Sequence, residues 1–468
     1  MEREEWYRLR NDRMNRVDDV NLAQSTKRSI GVVISPEHLD HYSIQIMSYM
    51  SLNMLSRWCP SFTIDLPDEN QCIIPGFRNR TLKEVALELV QRNDPFGEFT
   101  VNSILPSDYN IVLYIGECSH AEGSNMIWID AEGWLAGYGQ NMYSNLNKRN
   151  KNNKNPIGPS FAACLGVSEV LKRHLGLQVS ESFIRWYSIY DLQSDSNHVT
   201  LSNPPISRLL EVGTLHQIGC GAVGSSLDLL FSFLNIKGNI HLIDYDSVSV
   251  PNTASSMVFT AKDGLEEIDK VDSCYSFLEK VDGLIPYPHK CDYGTFIKKH
   301  DLLNDYPDIV LCLANEKNIW STIQHNYPPL VLHATTSPNW GVNLGRHIPF
   351  QDWCIVCRFG IDEYETIPVC SQAKVDSGGE KEEILGILPF LSTAGAILIL
   401  SEILRSRIDG YCLTKDNFVQ FSFKDTNVGF IKLKLSRNEN CTVCNNQTKE
   451  EYSFLRRQIS YNQIHKGE

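Results

Sequence analysis

Apolar positions along this chain gather into short, strand-length blocks separated by helix-spaced runs, the rhythm of an α/β protein with a largely parallel sheet. Residues 29–35 (SIGVVIS) predict a buried strand, followed by a helix pattern reaching about residue 58. Residues 111–115 (IVLYI) and 126–129 (MIWI) predict two further strands. Residues 215–218 predict another, which runs directly into Gly219-Cys220-Gly221-Ala222-Val223-Gly224. A helix-periodic run comes next, then an apolar block at 240–243 that ends in Asp244-Tyr245-Asp246. Strand, glycines, helix, strand and acid in that order form a nucleotide-binding βαβ unit. Glycines let the backbone approach a phosphate, and the helix start offers N–H donors and a positive dipole end. An acid after the second strand then reaches a ribose hydroxyl, a role that falls to Asp244.

Residues 1–28 are charged and predict helix, with Arg8, Arg10, Arg13 and Arg16 along it. Residues 147–155 (NKRNKNNKN) predict an exposed loop. Residues 201–208 (LSNPPISR) carry two prolines and make the best linker, dividing the chain into residues 1–205 and 206–468. A segment from Pro156 (PIGPSFAACLGVSEVLKR) also lies without gaps over one from Pro389 (PFLSTAGAILILSEILRS), with Ala163 on Ala396, Ser168 on Ser401 and Glu169 on Glu402. Two buried helices can share such a composition by chance; otherwise the halves are diverged copies of one α/β unit. If they are copies, the first has lost its nucleotide site, because Ser35-Pro36-Glu37-His38 follows its opening strand.

Cys354-Ile-Val-Cys357 and Cys441-Thr-Val-Cys444 are two CxxC pairs with polar flanks. Together they offer four thiolates at the spacing of a closed, structural zinc site, the competing readings being a redox pair or unrelated buried cysteines. Fourteen cysteines behind the opening MEREEWYRLRNDR, which has no signal-peptide pattern, imply a reducing, cytoplasmic setting. A length of 468 residues allows two or three domains, and a net charge of −13 argues against a nucleic-acid binder.

Taken in order, these pieces resemble the ThiF/MoeB superfamily, the adenylating module of ubiquitin-activating enzymes. The likeness spans residues 215–444: GCGAVG, then Asp244-Tyr-Asp246-Ser-Val248, Pro251-Asn252, Lys270, the run Asp308 to Asn315, and both CxxC pairs. The helix from Pro156 is similar to one in the inactive adenylation domains of bacterial ubiquitin-like conjugation operons. The resemblance implies two tandem Rossmann-like (ThiF-type) α/β domains, the first inactive, the second active with a zinc site and a crossover loop near residues 362–385.

It also implies a reaction. ATP and the C-terminal carboxylate of a ubiquitin-like protein give an acyl-adenylate, with Mg²⁺ assisting, and a thioester follows for transfer to a conjugating (E2-like) enzyme. Gly219, Gly221, Gly224, Asp244, Asp246, Asn252, Lys270 and Asn315 are the implied nucleotide residues. Arg13 is the implied N-terminal arginine, chosen over Arg10 and Arg16, and Cys370 the implied nucleophile, with fused halves completing one site in a monomer or a homodimer. Two positions depart from the family: Ser255 replaces an arginine, and Asn315 replaces the metal-binding aspartate. The alternatives are a peptide or sulfur-carrier adenylyltransferase without a thioester step, and a tail-binding pseudoenzyme scaffold.

Overall fold

The computed structural model describes residues 1–23, 28–67, 70–77, 79–117, 125–140, 146, 149–177, 183–300, 305–314, 317–359, 386–408 and 416–465. Sixteen described strands build two eight-stranded sheets. The first holds β1 (Ile30–Ile34), β2 (Ser61–Asp65), β3 (Glu98–Val101), β4 (Ile111–Ile115), β5 (Met126–Glu132), β6 (Leu135–Gln140), β7 (Ile184–Ser188) and β8 (Gln193–Asp195). The second holds β9 (Leu210–Ile218), β10 (Ile236–Ile243), β11 (Leu284–His289), β12 (Ile309–Cys312), β13 (Val331–Ser337), β14 (Gly341–His347), β15 (Phe418–Ser422) and β16 (Ile431–Leu433).

Their strand orders are β3-β2-β1-β4-β5-β6-β7-β8 and β11-β10-β9-β12-β13-β14-β15-β16, the same permutation twice. In each sheet the first five strands of that order run parallel and the last three add antiparallel. Two unrelated domains would not share so specific an order, so the gapless match of the two apolar segments reflects a repeated unit.

Helices α1 (Arg3–Arg10), α2 (Tyr42–Leu55), α3 (Leu82–Asn93) and α4 (Ile157–Leu175) accompany the first sheet. The second sheet has α5 (Ala222–Phe231), α6 (Val250–Thr253), α7 (Ala261–Leu265), α8 (Lys270–Leu278), α9 (Tyr293–Lys299), α10 (Lys317–His325), α11 (Ile355–Phe359) and α12 (Pro389–Arg405), and α13 (Lys449–His465) closes the chain. Every residue of α2 and α12 is buried, the polar ones included. α2 packs on α4, α4 on α12, and α12 on α5, so the two sheets share one hydrophobic core across a helical layer. Polar bonds pin the halves together at its rim: Tyr42 donates to the Phe233 carbonyl at 2.6 Å, and Tyr187 to that of Thr426 at 2.7 Å.

Three expectations differ from what is observed. The N-terminal helix stops at Arg10, and a 3₁₀ turn at Met14–Arg16 follows, so Arg13 lies beyond the helix. The helix after β1 begins only at Tyr42. The basic run near residue 150 is not all exposed: Arg149 is buried and paired with buried Asp130.

Four histidines gather against α9. His216 on β9 meets the rings of His241 on β10 and Phe296, while His241 and His289 stack with ring nitrogens 3.0 Å apart and His300 closes on His289. Burial, reinforced by the neighbouring imidazoles, pulls His216 down to about 3 and His289 to about 4. Both rings are neutral in the fold and take protons below about 6.5 once unfolded. Full stability should therefore hold above pH 6.5 and fall as the pH drops toward 4, by up to about 1.4 kcal/mol per pH unit for buried His216 and less for half-buried His289. Urea midpoints at pH 7 and pH 5 measure this, and His216→Phe should flatten the slope.

Candidate functional site

β10 lies on one side of β9 and β12 on the other, so a crevice opens where the chain leaves the C-terminal ends of β9 and β12. Ligands of open α/β sheets bind at such a topological switch point. The crevice is open to solvent and takes in about 1010 Å³ when its mouth is included.

The three fingerprint glycines each answer a separate demand. Gly219 has φ +101°, and a Cβ there would lie 2.9 Å from the Leu313 and Ala314 backbone. Gly221 faces open space, with no atom within 4 Å of a built Cβ, which leaves room for a ligand against the backbone. Gly224 lets α5 close on the turn, since its Cβ would come within 2.2 Å of the Gly219 carbonyl oxygen. The first-turn amides of α5 have no intrahelical acceptor and border this opening. The amide directly after Gly219 is already used: Cys220 N–H donates to Asp244 Oδ2 at 2.8 Å. The turn amides that remain beside the opening are those from Gly221 onward.

Asp244 follows β10 directly and lines the crevice, its other oxygen accepting from Asp246 N–H at 2.9 Å. Burial pushes its carboxyl up, opposed by Lys270. Lys270, at the start of α8, is not a solvated surface lysine: it is 3 % exposed and 2.6 Å from Asp246 Oδ2. Burial pulls its ammonium down, but Asp244 and Asp246 together outweigh that and hold it above its ordinary value. Asn252 also lines the crevice, while its Oδ1 caps α6 by accepting from Ser249 N–H at 2.9 Å.

The three N-terminal arginines part company. Arg10 is buried and anchored at 2.7 Å to Asp94, and Arg16 pairs with Asp12 on the surface. Only Arg13 lines the crevice, carried there by a segment that α1 docks through buried Trp6 against Val250 and Ala261. Its carbonyl accepts from Ile387 N–H at 3.3 Å, so the N-terminal segment meets residues 386–387, which also wall the crevice. Cys370 and Asn315 lie outside the described residues.

The sequence did not point to Tyr245, Cys291, Asp292, Tyr293, Ile319, Thr335 and Thr336, which also line it. The available signal was positional, since most follow the C-terminal ends of β10 to β13. Ser255 stands clear of the crevice lining, its Oγ buried without a partner and its carbonyl accepting from Ser392 at 2.7 Å. Cys220, Cys274 and Cys312 are buried packing residues.

Strand register identifies the positions of the first half that correspond to this crevice. With Ile111-Val-Leu on β4 laid over Ile309-Val-Leu on β12, Ile34 falls on Gly219, Pro36 on Gly221 and buried Leu66 on Asp244. Asp130 and Ala131 fall on Thr335 and Thr336, and there the Arg149 guanidinium bonds Asp130 at 2.5 Å and the Ala131 carbonyl at 3.0 Å. Glycines, acid and open floor are all replaced.

Cys354, Cys357, Cys441 and Cys444 converge, all four sulfurs lying within 4.8 Å of one another. Adjacent Sγ pairs are 3.5 to 3.6 Å apart. A Zn–S bond of about 2.3 Å places tetrahedral ligands roughly 3.8 Å apart, so the set fits zinc with little adjustment. Asn438 N–H points at Cys357 Sγ and Cys444 N–H at Cys441 Sγ, the outer bonds such thiolates use.

A family model described as "BilD N-terminal domain" matches residues 29–182. No curated protein matches the chain. Among solved structures, E. coli MccB with MccA is similar at 15 % identity and TM-score 0.38, covering 50 % of this chain and 67 % of that one. E. coli MccB with ATP is similar at 15 % identity and TM-score 0.37, covering 50 % and 66 %.

The glycine geometry predicts unequal effects on folding. Gly224→Ala and Gly219→Ala should each cost about 1–3 kcal/mol through overpacking or backbone strain, whereas Gly221→Ala should leave the thermal midpoint almost unchanged. Differential scanning calorimetry of the three variants checks the order.

Proposed function

We propose that this protein binds ATP in the β9–β12 crevice and adenylates the C-terminal carboxylate of a peptide or small protein. The observation that carries this reading is the meeting of five features at one switch point. They are an open glycine turn, Asp244, Asn252, the buried Lys270–Asp246 pair, and Arg13 from the N-terminal segment. Two cations, Arg13 and Lys270, and three aspartates, Asp244, Asp246 and Asp292, line it before a ligand enters.

A carboxylate oxygen of the tail attacks the α-phosphorus, and the bond from that phosphorus to its bridging oxygen breaks with pyrophosphate leaving. Negative charge builds on the α-phosphoryl oxygens, so fixed donors and cations facing them lower the barrier. Asp244 holds the ribose hydroxyls, and the early α5 amides, Lys270 and Arg13 face the phosphates. Asn252 orients them through its amide. Magnesium, when bound, disperses triphosphate charge, and Asp246 is the crevice carboxylate placed to hold it. Zinc, held by the four cysteines, ties residues 354–357 to residues 441–444 and takes no part in the chemistry.

The finer reading makes the tail that of a ubiquitin-like protein and adds a second step. The Cys370 thiolate attacks the acyl carbon, AMP leaves, and the thioester passes to a conjugating enzyme. A pseudoenzyme scaffold is the rival, favoured by Asn315 where the family has a metal-binding carboxylate.

Tail-dependent exchange of labelled pyrophosphate into ATP is the deciding measurement, and titration calorimetry showing no ATP affinity would hand the case to the scaffold. Lys270→Met should lower exchange by about 10²-fold or more and Arg13→Ala by about 10-fold or more, the scale of losing one charge-stabilising donor. Cys370→Ala should keep exchange and abolish any thiol-labile adduct; survival of that adduct rules the cysteine out. Metal analysis should find about one zinc per chain, and Cys357→Ser should lose it and lower the thermal midpoint.

A further inference from the structure

Arg57 is fully buried at the end of α2 in the first half, and among the described residues no carboxylate pairs with it. Its partners lie across the boundary instead. Nη1 donates to the Thr253 carbonyl at 2.5 Å and that of Phe259 at 3.0 Å, and Nη2 to that of Met257 at 2.8 Å. Nε and the second Nη2 proton reach Asn53 Oδ1 at 3.0 Å and Asn93 Oδ1 at 3.4 Å, which occupies all five N–H groups. Asn53 Nδ2 adds a bond to the Met257 carbonyl at 3.2 Å, and Asn93 braces Asn53 at 2.9 Å. From the other side, Ser392 on α12 holds the Ser255 carbonyl.

A buried charge is expensive unless its surroundings solvate it, and backbone carbonyls do so for Arg57. Three of them come from the seven residues directly after Asn252, in the stretch between the crevice and α7. A planar fork with five fixed donors can span three carbonyls at once, which a lysine ammonium cannot do with the same geometry.

We propose that Arg57 is a positioning residue, by which the first half fixes residues 253–259 and so sets Asn252 in register with the crevice. The consequence for catalysis rests on the adenylation reading; the clamp itself does not. The inactive half thereby serves the site twice, delivering Arg13 into the crevice and bracing the segment beside it.

Hydrogen–deuterium exchange without nucleotide tests the clamp. Arg57→Lys should speed exchange across residues 250–260 at least about tenfold while the rest of the second sheet keeps its protection. Calorimetry on the same protein should show ATP binding weakened about tenfold, with Arg57→Met weaker still. Ile64→Ala, buried on β2 away from this segment, supplies a matched loss of thermal stability. Unchanged exchange in Arg57→Lys overturns the proposal, as does an Ile64→Ala protein that reproduces both effects. If the wild-type chain binds no ATP, the adenylation reading falls and the exchange result alone decides whether Arg57 is a clamp. If Arg57→Met does not fold, the lysine variant carries the comparison.

Discussion

Two largely buried helices, α4 and α12, govern the architecture. Each is covered by its own sheet and by the other's helical layer, which shields their long apolar stretches from water. The halves thus form one core rather than two joined by a tether, and the segment between them runs along the surface instead of separating them. The crevice inherits this arrangement. It sits in the second half, but Arg13 in its wall comes from the first, as does Arg57, which bonds carbonyls of the segment after Asn252.

Divergence between the copies is concentrated at the C-terminal ends of the strands. Strand order, direction and the central helix persist in both, whereas Ile34, Pro36, Leu66 and Arg149 stand where a nucleotide would need space, flexibility or a carboxylate. Packing fixes the interior of such a unit, while loops at the strand ends can change at small cost. The first half shares the strand order and is filled where the second has an open crevice.

Much of this was legible in residues alone. The glycine fingerprint, the acid after β10, the paired CxxC motifs and the twin helices are local or strictly spaced, and the structure brings each set together as that spacing requires. The resemblance singled out Arg13, but the residues alone gave no physical ground for it over Arg10 and Arg16, since helix α1 stops at Arg10 and a 3₁₀ turn follows. Arg57 gave no signal: it follows an apolar helix as one more basic residue, and its partners are carbonyls some 200 positions away, which carry no side-chain identity. The buried character of Lys270 was hidden for a similar reason, since its partner Asp246 approaches from a separate loop.

The docked N-terminal segment bears on how this protein can be dissected. Trp6 fills a pocket made by Val250 and Ala261, and the turn that follows forms one wall of the crevice. A fragment starting at residue 29, where the family match begins, would lose that wall and strip water-excluding cover from α6. Trimming the chain to its recognisable folds would therefore remove part of the crevice wall, and a silent truncated protein would say nothing about the intact one.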